Sequence, residues 1–240
     1  MEVVLYSLPA SHPCAAVARA LALKGVDCRR VELIPGLHRI VQQAVFRSST
    51  VPAVVFPDGA KLTGSRPIMR ELDRRFPEPR LVPASADAAR AEEWGDQVLQ
   101  PIGRRVAWAG LVRAPGRIMS YTVHAKLPVP DVVARLSAPL IARLCAKLNG
   151  ATDPAVRADL RALPHHLDRI DGWIENGALG PDAIAGRLQV ASGLRLLMTF
   201  EDIRPLIEPR PAGRMAREEF PVYAGSVGAG TLPAAWLPHR

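Results

Sequence analysis

The stretch Leu5-Tyr6-Ser7-Leu8-Pro9-Ala10-Ser11-His12-Pro13-Cys14-Ala15-Ala16-Val17 decides the reading of this chain. Residues 2–6, Glu-Val-Val-Leu-Tyr, form a short apolar run suited to a buried strand. Ser11 is a good N-cap, and Pro13 is tolerated in a first helical turn because its missing N–H would be unpaired there anyway. The segment therefore predicts a strand running into a turn that opens a helix. A helix N-terminus presents unpaired amide hydrogens and a partial positive charge, so an anionic sulfur is its natural guest.

Val17, Ala20, Leu21 and Lys24 keep helical spacing, and Gly25 follows as a C′ residue. Val26 to Leu33 alternates as a second strand, whereas Ile34 to Thr50 is less regular. Val51-Pro52-Ala53-Val54-Val55-Phe56 reads as a strand, Pro57-Asp58-Gly59 as a turn, and Ala60 to Thr63 as its hairpin partner. Ser65 to Phe76 is a helix with Ile68, Leu72 and Phe76 on one face. The order, βαβ then ββα, gives a four-stranded mixed sheet. After Pro77-Glu78-Pro79 only helical periodicity remains, over roughly 87–113, 131–148, 153–176, 185–199 and 211–219. The expected architecture is α/β plus all-α: an N-terminal unit over 1–79 and a helical unit with a coil tail over 87–240. The tail should pack through Trp236. The apolar stretch Leu136 to Leu148 reads as a core helix, with an interface as the alternative.

Hydrophobic residues make up 48% of the 240 and charged residues 22%, ordinary for a globular protein. No stretch approaches the roughly 18 uninterrupted apolar residues of a membrane span, and the opening residues lack a secretory pattern. A cytoplasmic protein without a membrane partner is expected. The net charge of +8 is spread along the chain, without a basic run interleaved with aromatics, so no nucleic-acid partner is expected. Three cysteines, Cys14, Cys28 and Cys145, have neither a disulfide-framework count nor metal-ligand spacing, so reduced thiols and no metal are expected.

Ser11-His12-Pro13-Cys14-Ala15-Ala16-Val17, Lys24-Gly25, Val31-Glu32-Leu33-Ile34-Pro35-Gly36-Leu37-His38, Val51-Pro52 and Gly64-Ser65-Arg66 together resemble the glutathione S-transferase superfamily. The first of these segments is most similar to the theta class. Leu194 to Ala212, with Glu201-Asp202-Ile203-Arg204-Pro205, resembles a bacterial branch. The resemblance implies a thioredoxin-like N-terminal domain followed by a helical domain, a homodimer, and glutathione or another low-molecular-weight thiol as cosubstrate for a small-molecule electrophile.

By that resemblance Ser11 is the catalytic residue, donating a hydrogen bond that favours thiolate over thiol. Each 1.4 kcal/mol of such stabilisation lowers the thiol pKa by about one unit. His38, Val51, Pro52, Gly64 and Ser65 would bind the thiol peptide, Pro52 after a cis bond that turns the Val51 backbone toward the ligand. Tyr6 is a rival hydroxyl whose place in a strand favours packing. Cys14 completes Ser-x-x-Cys and is a second candidate, either reactive at the helix start or buried as a small hydrophobe. Trp108 and Tyr121, with Trp94 and Met119, are candidates for the electrophile pocket. Gly64 stands where the family usually has Glu or Asp, a charge-assisted contact worth about 1.5–3 kcal/mol. A non-catalytic binding module of the same fold, or thiol–disulfide exchange through Cys14, are the alternatives to a transferase.

Overall fold

The computed structural model describes residues 2–123, 125 and 130–238. Strand β1 (Val3–Ser7) alternates buried and half-buried positions, so Val3 and Leu5 point into the core. It lies parallel to β2 (Cys28–Glu32), with Leu5 opposite Arg30, and antiparallel to β3 (Ala53–Val55), with Leu5 opposite Val54. Strand β4 (Lys61–Thr63) pairs back on β3, giving the sheet order β2-β1-β3-β4. This is the mixed four-stranded sheet expected from the sequence.

Between β1 and β2 runs α1 (His12–Leu23) with Ser11 at its N-cap. Gly25 takes φ +66°, the left-handed C′ conformation, and its N–H donates to the Ala22 carbonyl. Ala16, Val17, Ala20 and Leu21 form the buried face. The irregular stretch before Thr50 contains a helix, α2 (His38–Phe46), which alternation did not suggest. Its only buried residue is Gln42, while Ile40 and Val41 are exposed, so the apolar pattern that marks a helix is inverted. Helix α3 (Ser65–Arg75) ends one residue earlier than expected and buries Ile68, Met69 and Leu72.

Lys24 anchors the segment that follows. Its ammonium, with a fully buried side chain, contacts Asp73 at 2.7 Å and donates to the carbonyls of Phe76 and Pro79. Asp73 in turn accepts from the N–H groups of Leu81 and Val82.

Beyond it the chain is helical. Helix α4 (Ala86–Trp94) continues through a π-helical turn (Gly95–Leu99) into α5 (Gln100–Arg113), then a 3-10 stretch (Pro115–Tyr121). Helices α6 (Asp131–Leu148), α7 (Asp153–Glu175), α8 (Ile184–Leu197), the short α9 (Arg204–Ile207) and α10 (Pro211–Glu219) complete it. Helix α8 is the central element, with Leu188, Val190, Ala191 and Leu194 fully buried, and it packs against α1 and α10. At its start Arg187 does not cap the helix but pairs with Glu219 at 2.6 Å and donates to the Leu179 carbonyl. The tail behaves as expected: Trp236 is buried, with the Arg113 guanidinium 4.4 Å from its ring centroid.

The core-helix expectation for Leu136–Leu148 is corrected. Helix α6 turns its small residues Ala138, Ala142 and Ala146 inward, and Leu136, Leu140, Leu144 and Leu148 stand exposed at successive i+4 positions. The alanine face lets α6 approach α5 closely; the leucines are left outside. Among the described residues no helix is long and apolar enough to cross a membrane.

Candidate active site

The turn before α1 sets the geometry. Ala10 holds φ +53°, a left-handed conformation costly for a residue with a Cβ, and the Tyr223 hydroxyl donates to its carbonyl at 2.8 Å. Ser11 follows at the N-cap, its N–H donating to the Leu8 carbonyl. Its hydroxyl makes no capping bond to the helix. Instead it contacts the Cys14 thiol and lines a cavity of about 300 Å³.

The cavity lies between the sheet unit and the helical unit. One wall is the turn Leu8–Pro13, the Val51 backbone and the start of α2; the other is α5, with Ile118, Tyr121 and the end of α6. The Val51-Pro52 bond is cis, as expected. Among the described residues neither the N–H nor the C=O of Val51 has a hydrogen-bond partner, so an extended peptide could pair with both. His38, at the first position of α2, also lines the space; burial and the adjacent Arg39 lower its pKa, and a bond to the Ile34 carbonyl partly offsets them.

Ser11, His38, Val51, Trp108 and Tyr121 thus come together. The other sequence candidates do not line this cavity. Tyr6 packs its ring edge-on against Phe46, centroids 5.0 Å apart. Cys14 is buried, and desolvation pushes its thiol up to about 11, with the Ser11 contact opposing, so it is a protonated small hydrophobe at neutral pH. Pro52 is buried, and its carbonyl accepts from the Gly64 N–H at 2.9 Å. The Ser65 hydroxyl accepts from Gln189 Nε2 at 2.7 Å, with Gln100 Nε2 at 3.5 Å, inside the seam between α3, α5 and α8. Trp94 belongs to an aromatic cluster with His166 and Trp173 rather than to the cavity, and Met119 is likewise absent from its walls.

Sequence reasoning passed over His12 and Arg104, which also face the cavity. His12 is buried with Nε2 unpartnered; desolvation and then Arg104 lower its pKa to about 3, against a hydrogen bond to the Gln100 carbonyl, so its imidazole is neutral. The signal for Arg104 is its i, i+4 spacing to Trp108 on one helix. Tyr121 is a wall rather than an acid. Its hydroxyl lies 2.6 Å from Thr199 Oγ1, and burial pushes it up to about 12. Among the described residues no cluster of His, Cys, Asp and Glu could hold a metal ion.

Residues 5–80 match the family described as glutathione S-transferase, N-terminal domain. That match covers about a third of the chain. The fold of the described residues, a thioredoxin-like domain followed by a helical one, is that of solved glutathione transferases. Glutathione transferase F7 from Populus trichocarpa superposes with a TM-score of 0.62 at 16% identity, over 90% of this chain and 92% of its own. Beta-etherase LigF from Sphingobium sp. strain SYK-6 gives 0.61 at 20% identity, over 91% and 100%. A glutathione S-transferase from Methylobacterium radiotolerans, in complex with glutathione sulfonate, gives 0.57 at 15% identity, over 100% and 97%. No curated protein matches.

The Ser11 hydroxyl and the unpartnered backbone groups of Val51 face one cavity, an arrangement able to meet a sulfur and an extended backbone. Beside this arrangement Gly64 carries no carboxylate, and the Ser65 hydroxyl is already held by Gln189.

Proposed function

We propose that this protein joins a low-molecular-weight thiol, glutathione in the first instance, to a small-molecule electrophile. The observation that carries the reading is the Ser11 hydroxyl, uncommitted to helix capping, at the N-terminus of α1 and on the wall of a cavity closed on its far side by Trp108 and Tyr121. In this reading the unit over 1–79 grips the thiol and the unit over 87–240 supplies the pocket for the electrophile.

The Ser11 O–H donates to the thiol sulfur, and the amide field at the start of α1 favours its anionic form. Val51 pairs with the cysteinyl backbone, and His38 with Arg39 receives the glycyl carboxylate. The low-polarity wall of Trp108, Leu111 and Ile118 strips water from the thiolate and holds the electrophile beside it, so proximity supplies much of the remaining rate. The protein works without a metal, in the cytoplasm, as the homodimer expected of the superfamily; its three free cysteines suit a reducing compartment.

A second reading, a non-catalytic binding module, is favoured by one observation: Gln189 occupies the Ser65 hydroxyl while Gly64 offers no acid. Calorimetric titration with glutathione, together with the ultraviolet absorbance of bound thiolate near pH 7, separates the two. Saturable binding with a thiolate band that disappears in Ser11→Ala supports the transferase. Absence of binding at millimolar glutathione removes it in favour of the module or another thiol.

A further inference from the structure

Arg104 is a half-buried cation with no direct ion pair among the described residues. It sits on α5 facing the cavity, and among the described residues its one hydrogen bond is from Nη1 to the neutral Gln100 Oε1, at 3.3 Å. Among the described residues no carboxylate lies within 4 Å of it, although most arginines around it are paired: Arg105 with Asp159, Arg70 with Glu92, Arg113 with Asp153. Desolvation is the largest influence on its guanidinium and pulls its pKa down, Arg105 adding to it and the more distant Asp96, reached through Gln100, opposing it. Beside it is the unpartnered Nε2 of His12. No Asp or Glu lines the cavity among the described residues, whereas Arg39, Arg104, His12 and His38 all do.

We propose that Arg104 selects the electrophile: the second substrate is an aromatic or similarly flat electrophile carrying a carboxylate or another fixed anion, which ion-pairs with Arg104 while its ring lies along Trp108. This rests on the transferase reading. The glycyl carboxylate of the thiol is received at the opposite wall, by His38 and Arg39, which leaves Arg104 for the other ligand. Arg104 and Trp108 are one helical turn apart on one face, so the anion and the ring of one small molecule meet both. A guanidinium binds a carboxylate through two parallel N–H donors, and in a water-poor cavity that contact discriminates strongly against a neutral analogue.

The test compares 4-(bromomethyl)benzoic acid with its methyl ester, glutathione being the thiol, after subtraction of the uncatalysed rate. In each conjugation the thiol proton passes to solvent, a C–S bond forms at the benzylic carbon, and bromide departs with the electron pair of the C–Br bond. The expected result is a kcat/KM about tenfold or more higher for the acid. That ratio falls at least tenfold in Arg104→Gln and is partly kept in Arg104→Lys. The acid-to-ester ratio cancels any change the substitution makes to thiol binding. A ratio near one in the wild type, or one unchanged in Arg104→Gln, overturns the proposal. Should the wild type neither bind glutathione nor conjugate either compound, the transferase reading fails by itself. Titration with 4-methylbenzoate, followed by tryptophan fluorescence, then decides the anion site: saturable binding weakened at least tenfold in Arg104→Gln upholds it, and equal or unsaturable binding overturns it.

Discussion

Gln189 on α8 donates from Nε2 to Ser65 Oγ at 2.7 Å, joining residues 124 positions apart. The Gln189 Oε1 also accepts from Gln100 Nε2 at 3.1 Å, and Gln100 reaches Asp96 at 2.8 Å. Three buried polar side chains thus satisfy one another across the seam between the sheet unit and the helices. Gln189→Leu removes the central member and strands two polar groups, so stability should fall by about 1–3 kcal/mol. Urea unfolding followed by circular dichroism measures it; an unchanged midpoint would show that the seam does not depend on this network.

His12 makes the fold sensitive to acid. Its pKa is about 3 in the folded protein against 6.5 for the free side chain. Between those values the unfolded chain takes up a proton that the folded chain refuses, so stability is fully present above pH 6.5 and drains away as pH falls toward 3. The slope is roughly 1.4 kcal/mol per pH unit. Comparing thermal unfolding of wild type and His12→Asn at pH 7 and pH 5 isolates it: the variant should lose less stability over that step.

Lys24 should tolerate replacement poorly. Its fully buried ammonium neutralises Asp73 and collects two backbone carbonyls from the segment after α3. Lys24→Met keeps the aliphatic stem but strands a carboxylate, so a loss of about 3–5 kcal/mol is expected at neutral pH. Proteolysis between residues 76 and 82 should accelerate in parallel, and mass spectrometry of the fragments reads the cleavage site.

Gly225 takes φ +112°, and a Cβ there would overlap the ring of Tyr121. Gly225→Ala therefore combines backbone strain with a collision against a cavity wall. It should destabilise by about 2 kcal/mol or more and push Tyr121 inward. Chemical denaturation gives the first effect; a raised KM for bulky electrophiles, with small ones less affected, gives the second.

The sequence was most legible where local chemistry and topology coincide. Pro13 at the start of α1, Gly25 at its end and the Asp58-Gly59 turn each have a local physical cause and stand where the pattern placed them, whereas the cis bond before Pro52 was expected from the resemblance alone. Pattern failed where exposure is inverted. Helix α2 buries Gln42 and exposes Ile40; α6 buries alanines and exposes leucines. Periodicity shows that a stripe exists but not which side of it faces a neighbour. For the site, Ser11, His38, Val51, Trp108 and Tyr121 could be named because they lie in recognisable segments or are aromatic. Nothing local marked the engagement of Ser65 by Gln189, which is a fact of tertiary packing. Nor does composition mark Arg104 out among 31 Lys and Arg residues.

The bond from Tyr223 to the Ala10 carbonyl joins residues 213 positions apart. On the ribosome, the turn that holds Ser11 emerges long before the residue that clamps it. A nascent chain released before residue 223 would carry every element of the sheet and still leave the Ser11 turn without that clamp. The order in which the chain is made therefore sets the order in which this site is finished: sheet first, clamp afterwards.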